Sequence, residues 1–169
     1  MSQRVKVWRP TEKQGWIKYE MSVSGDDVQF TEHFRLSHFI VSRDYPELAA
    51  EIVLDDMHIA RFDLLSRILL QPARDYIQSP IYISSGMRSP KLNDAVDGSE
   101  GSDHLCGLAV DIDTESAVNT QLVFNYLLKH RMDVIGQLIL YRDSNGEVDF
   151  IHVSLPSERY HGEVLYVTQ

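Results

Sequence analysis

The stretch GSDHLCGLAVDIDT, Gly101 to Thr114, places a histidine three residues before a glycine and seven before an aspartate that interrupts an apolar run. His104 and Asp111 offer a nitrogen and an oxygen of the kinds that zinc accepts, and a catalytic zinc site takes three protein ligands with a fourth position open. No third ligand stands nearby in sequence. Of the seven histidines, His152 is set apart by its context VDFIHVSL, whose alternation puts Phe150, His152 and Ser154 on one face of a strand. A strand lying beside Leu108 to Ile112 would bring His152 to Asp111. Taken alone, a strand histidine is more often a half-buried hydrogen-bonded residue than a metal ligand, and Asp111 could instead be a turn residue paired with Arg88. Spacing leaves both readings open.

The elements that must position these residues are coarse but readable. FTEHFRLSHFIVS, residues 30 to 42, spaces its apolar side chains as a short helix with Thr31 as N-cap. Met57 to Gln78 carries a broad apolar stripe, and its Pro72 predicts a kink or a restart. IYISSG, after Pro80, reads as a buried strand. Residues 86 to 103 have the composition of a long ordered loop, with one helical turn at Pro90 to Val96, and long loops in compact domains are commonly functional. Then follow a strand at Leu108 to Ile112, a helix at Val118 to His130, and strands at Gln137 to Tyr141 and Val148 to Leu155 about a turn at Ser144-Asn145-Gly146. Helices first and strands late predict an α+β fold with a small antiparallel sheet.

Composition narrows the function classes. The chain has 169 residues, 43% of them hydrophobic, which suffices for one compact domain with a core. With 16 Lys and Arg against 25 Asp and Glu, a net charge of −9 and no basic cluster, a grip on nucleic acid is not expected. The single cysteine, Cys106, excludes an internal disulfide framework. No apolar run of spanning length and no signal peptide is visible, so synthesis in the cytoplasm is expected. Residues 1–27 mix Lys, Glu, Trp and Gly without period and read as an N-terminal arm ahead of a domain at 28–169.

SGMRS (85 to 89), SDHLCGLAVDI (102 to 112), QLI (137 to 139) and FIHVS (150 to 154), in that order, resemble the zinc D-alanyl-D-alanine carboxypeptidase family. That family includes wall-trimming carboxypeptidases, vancomycin-resistance dipeptidases and phage endolysins that cut peptidoglycan peptides. The likeness spans roughly residues 28 to 155. It implies a sheet carrying the zinc site with helices packed on one side, and His104, Asp111 and His152 as the Zn2+ ligands. It further implies that Arg88 clamps a substrate carboxylate, that Asp149 is the general base, and that Ser102 donates a hydrogen bond near the metal or to substrate, a turn cap being the other reading of Ser102. Strict alternation points Asp149 and His152 to opposite faces, so that role requires a bulge or a turn at residue 149 or 150. Tyr141 departs from the family, many small members of which carry an acidic residue there. Cys106 reads as a packing residue, and His161 is a reserve donor in a tail, SERYHGEVLYVTQ, that adds a strand or lines a cleft.

The function implied is hydrolysis of peptidoglycan stem or cross-bridge peptides at the bacterial wall by a phage-type enzyme. Carboxypeptidase and endopeptidase action stay equally open. The alternatives are a non-hydrolytic metal-binding module, such as a virion component, and a plain interaction domain with coincidental histidines.

Overall fold

In a computed structural model, residues 3–11, 15–23 and 27–169 are described, the first two segments as backbone only. Strands β1 (Gln3–Thr11) and β2 (Gly15–Val23) form an antiparallel ladder of their own. The sequence assigned the first 27 residues to an arm, and most of that segment's side chains lie outside the described residues. From Val28 onward the chain builds one α+β unit around a single apolar cluster.

Its centre is a five-stranded sheet of β3 (Tyr82–Ser85), β4 (Ala109–Asp113), β5 (Gln137–Arg142), β6 (Val148–Ser154) and β7 (Glu163–Thr168), in the order β3-β4-β6-β5-β7. The first four strands pair antiparallel, but β7 joins β5 in parallel, so the sheet is mixed rather than wholly antiparallel. The cause is the route of the tail. β6 ends where β5 begins, and residues 155–162 step across that same end, held by Gly162 N–H donating to Ile135 O at 3.0 Å. The chain then enters β7 running with β5. β3 is an edge strand whose Tyr82 is exposed, not the buried strand expected of IYISSG, because among the described residues its outer side meets only the bridge from Ser42 and Arg43 N–H donating to Ser84 O.

Alternation divides the sheet chemically. Val110, Ile112, Leu138, Leu140, Ile151 and Val153 face the core, where each apolar side chain removed from water contributes roughly 1.5–3 kcal/mol. Helix α5 (Ala117–His130) packs on β6 through Val123, Phe124 and Leu127 and lies against α3 (Gln71–Ile77). Helix α2 (Asp56–Leu65) supplies Ile59, Phe62 and Leu65 to the same cluster. Helices thus cover the apolar face. The opposite face carries the polar side chains, with Ile139, Tyr141 and Phe150 beside them.

Two local outcomes have clear causes. Between α2 and α3 the backbone widens into a π-turn over Ser66–Leu70. Pro72 has no N–H to give and its ring would strike the carbonyl four residues back, so the wider turn lets the rod continue in place of a break. The expected helix at 30 to 42 is instead an irregular wrap with one 3-10 turn, Leu36–Phe39, followed by the short helix α1 (Pro46–Ala50). Phe30, Phe34, Leu36 and Phe39 are buried as their spacing required. The backbone takes other partners: Phe30 and Thr31 N–H both donate to Phe34 O, and Asp27 Oδ1 accepts from Ser37 N–H at 2.8 Å. Thr31 caps nothing there.

Candidate metal centre

The antiparallel register of β4 and β6 sets Asp111 directly opposite His152, and both lie on the polar face because their neighbours Val110, Ile112, Ile151 and Val153 point into the core. His104 arrives from a 3-10 turn, Asp103–Cys106, that runs into β4. Ser102 caps this turn, its Oγ accepting from His104 N–H at 3.4 Å. Gly107 closes it at φ 67°, a left-handed conformation that disfavours side chains, and a Cβ there would stand 3.0 Å from the Phe62 ring. Fixed at both ends, the turn leaves His104 only 2% exposed.

His104 Nε2 lies 3.2 Å from Asp111 Oδ1 and 3.2 Å from His152 Nδ1, and the third edge, His152 Nδ1 to Asp111 Oδ1, is 2.9 Å. Zinc bonds of 2.0–2.1 Å in a tetrahedron separate neighbouring ligand atoms by about 3.3 Å, so the triangle is close to the required size. Hydrogen positions sharpen the fit. His104 Nδ1 is 2.7 Å from Gly86 O, an acceptor only, so Nδ1 carries the proton and Nε2 of a neutral ring presents a lone pair. Burial pushes His104 below its ordinary value against the pull of Asp111, which keeps the ring neutral. Its lone pair therefore confronts a carboxylate oxygen with no proton between them. A cation is what such a set of acceptors lacks. Burial by itself would raise the Asp111 carboxyl, but its contact with His104 and His152 outweighs burial and holds the group ionised. Among the described residues this is the cluster of histidine, cysteine and acidic side chains able to hold a metal ion.

Around the triangle, Arg88 donates from Nη2 to Asp111 Oδ2 at 2.9 Å and from Nε and Nη2 to Ser85 Oγ. It thus occupies the oxygen of Asp111 turned away from the histidines, and it also lines the cleft. Gly86, beside it, approaches the backbone of Phe39 so closely that a Cβ would stand 2.1 Å from Phe39 O. The carbonyl that orients His104 is locked by this contact.

Asp149 reaches the polar face through a bulge. Leu140 pairs with Ile151 but Arg142 pairs with Val148, so β6 carries one extra residue across from Tyr141. Asp149 is exposed on the wall of the adjoining cleft, which Asp111 and Arg88 also line. Asp113 sits above its ordinary value, through burial first, opposed by Arg43 and assisted by the Asp149 charge, which puts Asp149 near the β4 side of the face. Tyr141 stacks on Phe150 with ring centroids 4.3 Å apart, and the pair forms an aromatic wall of the cleft. Burial, and then the Asp111 charge, raise the Tyr141 hydroxyl. Ser102 lines the same cleft, whereas Cys106 is exposed outside it. In the tail, Tyr160 lines the cleft, Leu165 and Tyr166 belong to β7, and His161 is exposed.

Several cleft residues were not singled out as site residues by the sequence. Gln137 is buried on the polar face, where its Nε2 donates to Glu163 of the parallel edge strand at 2.5 Å. Val96, Asp97, Gly98 and Ser99 make the facing wall, held by Asn93 Nδ2 donating to Gly98 O and Ser99 O. No periodicity announces a loop fastened by an amide several residues upstream. The composition of residues 86 to 103 marked an ordered loop, but not which of its residues face the cleft.

No curated protein matches the chain. A family model described as Peptidase M15 matches residues 51–154, from the lead into α2 to the last residue of β6, and so takes in His104, Asp111, His152, Arg88 and Asp149. That span is more than half of the sequence, and the family is one of metallopeptidases, in keeping with a triangle of buried acceptors built for a cation; the chain belongs to the Peptidase M15 family.

Proposed function

We propose that the protein is a zinc-dependent peptidase that hydrolyses peptidoglycan stem or cross-bridge peptides, a phage-type lytic enzyme made in the cytoplasm and acting on the bacterial wall. The observation that carries this reading is the triangle of His104 Nε2, Asp111 Oδ1 and His152 Nδ1, with edges of 2.9 to 3.2 Å and the His104 tautomer fixed by Gly86 O. These residues would hold Zn2+, which when bound supplies a Lewis acid and lowers the pKa of water toward neutrality. The working unit is residues 28–169, since the apolar cluster begins at Val28 and β1 and β2 make a separate ladder.

The remaining chemistry falls to this chain's own groups. Asp149 takes the proton of the attacking water and returns it to the leaving amine, a role supported by the bulge that turns it toward the face of His152. Arg88 steadies Asp111 through Oδ2 and leaves Nη1 to meet a substrate oxygen. Ser102 holds the turn of His104 and faces the cleft, where its hydroxyl serves substrate as well. The Tyr141 and Phe150 rings exclude water from one side.

The test is digestion of purified peptidoglycan by zinc-replete protein, with mass analysis of the products and metal analysis of the same preparation. Released D-alanine or new amino termini, together with about one zinc per chain, is the expected result. Full zinc without release would favour the non-hydrolytic module, and no zinc would remove both.

A further inference from the structure

The cleft over the triangle continues along the sheet into a second space. The first, of about 390 Å³, lies over β4, β6 and β5 and is lined by His104, His152, Ile139 and Tyr141. The second, also about 390 Å³, extends over β3 and the segment after Ser42, lined by Arg43, Asp44, Ser84 and Asp149. Asp111, Arg88 and Phe150 line both. The Asp111 corner of the triangle therefore lies where two spaces join, each large enough for several peptide atoms.

Charge in the second space bears on what it can hold. An enzyme that removes a terminal residue must neutralise the terminal carboxylate close to the reacting bond. Arg88 is the nearest cation, but its Nη2 already serves Asp111, and space continues beyond it. There Arg43 is paired with Asp113, while Asp44 and Asp149 present carboxylates with no ion-pair partner among the described residues. A terminal carboxylate pushed past Arg88 would meet like charge in a half-enclosed site, where repulsion is weakly screened. A continuing amide backbone, or an amine, meets no such penalty.

We infer that a peptide lies across the metal centre with residues in both spaces, and that the protein is an endopeptidase. This rests on the hydrolytic reading above and narrows it. Water adds across an internal amide: the C–N bond breaks, a C–O bond forms, one fragment gains a carboxylate and the other gains an amine with the proton carried by Asp149. The free terminus of the substrate takes no part.

Zinc-replete full-length protein is given a peptidoglycan stem pentapeptide in two forms, one with a free C-terminal carboxylate and one with a C-terminal amide. Cleavage at an internal bond, with kcat/KM for the amide within tenfold of the acid, is expected. Release of only the terminal residue, or a loss of tenfold or more on amidation, overturns the inference while leaving a carboxypeptidase in place. Absence of any cleavage by zinc-loaded protein removes hydrolysis itself, and the inference with it. As a second measurement, Asp44→Trp fills the second space from an exposed position away from the triangle. It should raise KM at least fivefold with kcat within twofold. An unchanged KM would show that substrate does not pass that way.

Discussion

Asp111 and His152 stand opposite one another on neighbouring antiparallel strands, and the carboxylate Oδ1 lies 2.9 Å from the imidazole Nδ1 across 41 residues of sequence. The sheet register is thus also the geometry of the metal centre. A slip of one residue would carry either side chain to the apolar face, so the core residues beside them hold the site as firmly as the site's own contacts.

His104→Ala removes one corner of the triangle and the neutral nitrogen that Gly86 O orients. Zinc content after dialysis should fall to background while wild-type protein retains about one equivalent, because two remaining ligands are too few for a stable zinc site. Metal analysis alongside circular dichroism checks this. A folded variant that keeps full zinc would place the metal elsewhere.

Asp149→Asn keeps the shape of the side chain but not its basicity, and no hydrogen bond to the triangle is at stake. Turnover should drop by about 10²- to 10⁴-fold with zinc stoichiometry unchanged, which is the range for loss of a general base. Near-normal turnover would assign the proton transfer to another group lining the same cleft.

Gly86→Ala tests whether a carbonyl outside the ligand set matters. The new methyl would stand 2.1 Å from Phe39 O, so the backbone must move and take with it the acceptor for His104 Nδ1. Zinc affinity should weaken by about 10- to 100-fold, as for other partners of metal-binding histidines. Overpacking should also cost about 1–3 kcal/mol of stability. Competition with a chromophoric chelator reads the first effect and chemical denaturation the second. Wild-type zinc affinity in a folded variant would show that the orientation of His104 does not depend on this carbonyl.

His58 gives the fold a pH dependence distinct from that of the metal centre. At the start of α2 its Nδ1 accepts from Asp55 N–H at 3.1 Å while Asp55 Oδ1 accepts from His58 N–H, a reciprocal cap in which histidine takes the place usually held by Glu or Gln. Burial pulls His58 below its ordinary value of 6.5, against the attraction of Asp55 and with a further push from Arg61. Between the folded and unfolded values the unfolded chain binds more protons, so stability is lost as pH falls through 6.5 toward the folded value. Metal-free protein should show a falling Tm from about pH 7 to about pH 5.5, spanning the ordinary histidine range. His58→Gln, which preserves the cap, should reduce that fall. An equal fall in the variant would assign the effect to other histidines.

What the sequence by itself determined was local: the face of β6, the positions of β4 and β5, the extent of α5, and the residue types able to hold a metal. Alternation and helical periodicity are properties of consecutive residues, so they survive without knowledge of partners. The same logic bounded its errors. Between Phe30 and Ser42 the apolar spacing correctly marked Phe30, Phe34, Leu36 and Phe39 as buried, yet the backbone was drawn away from a helix by Asp27 and by Phe34 O. The need for a bulge at residue 149 or 150 was legible, but its position was fixed only by the pairing of Arg142 with Val148. Tertiary structure alone decided which strand faces which and the parallel entry of β7 along β5. It alone set the grip of Arg88 on Asp111 and the closing of a lone pair, a carboxylate and a second imidazole into one triangle. Those relations join residues tens of positions apart, and their energies depend on a register that no stretch of neighbours contains.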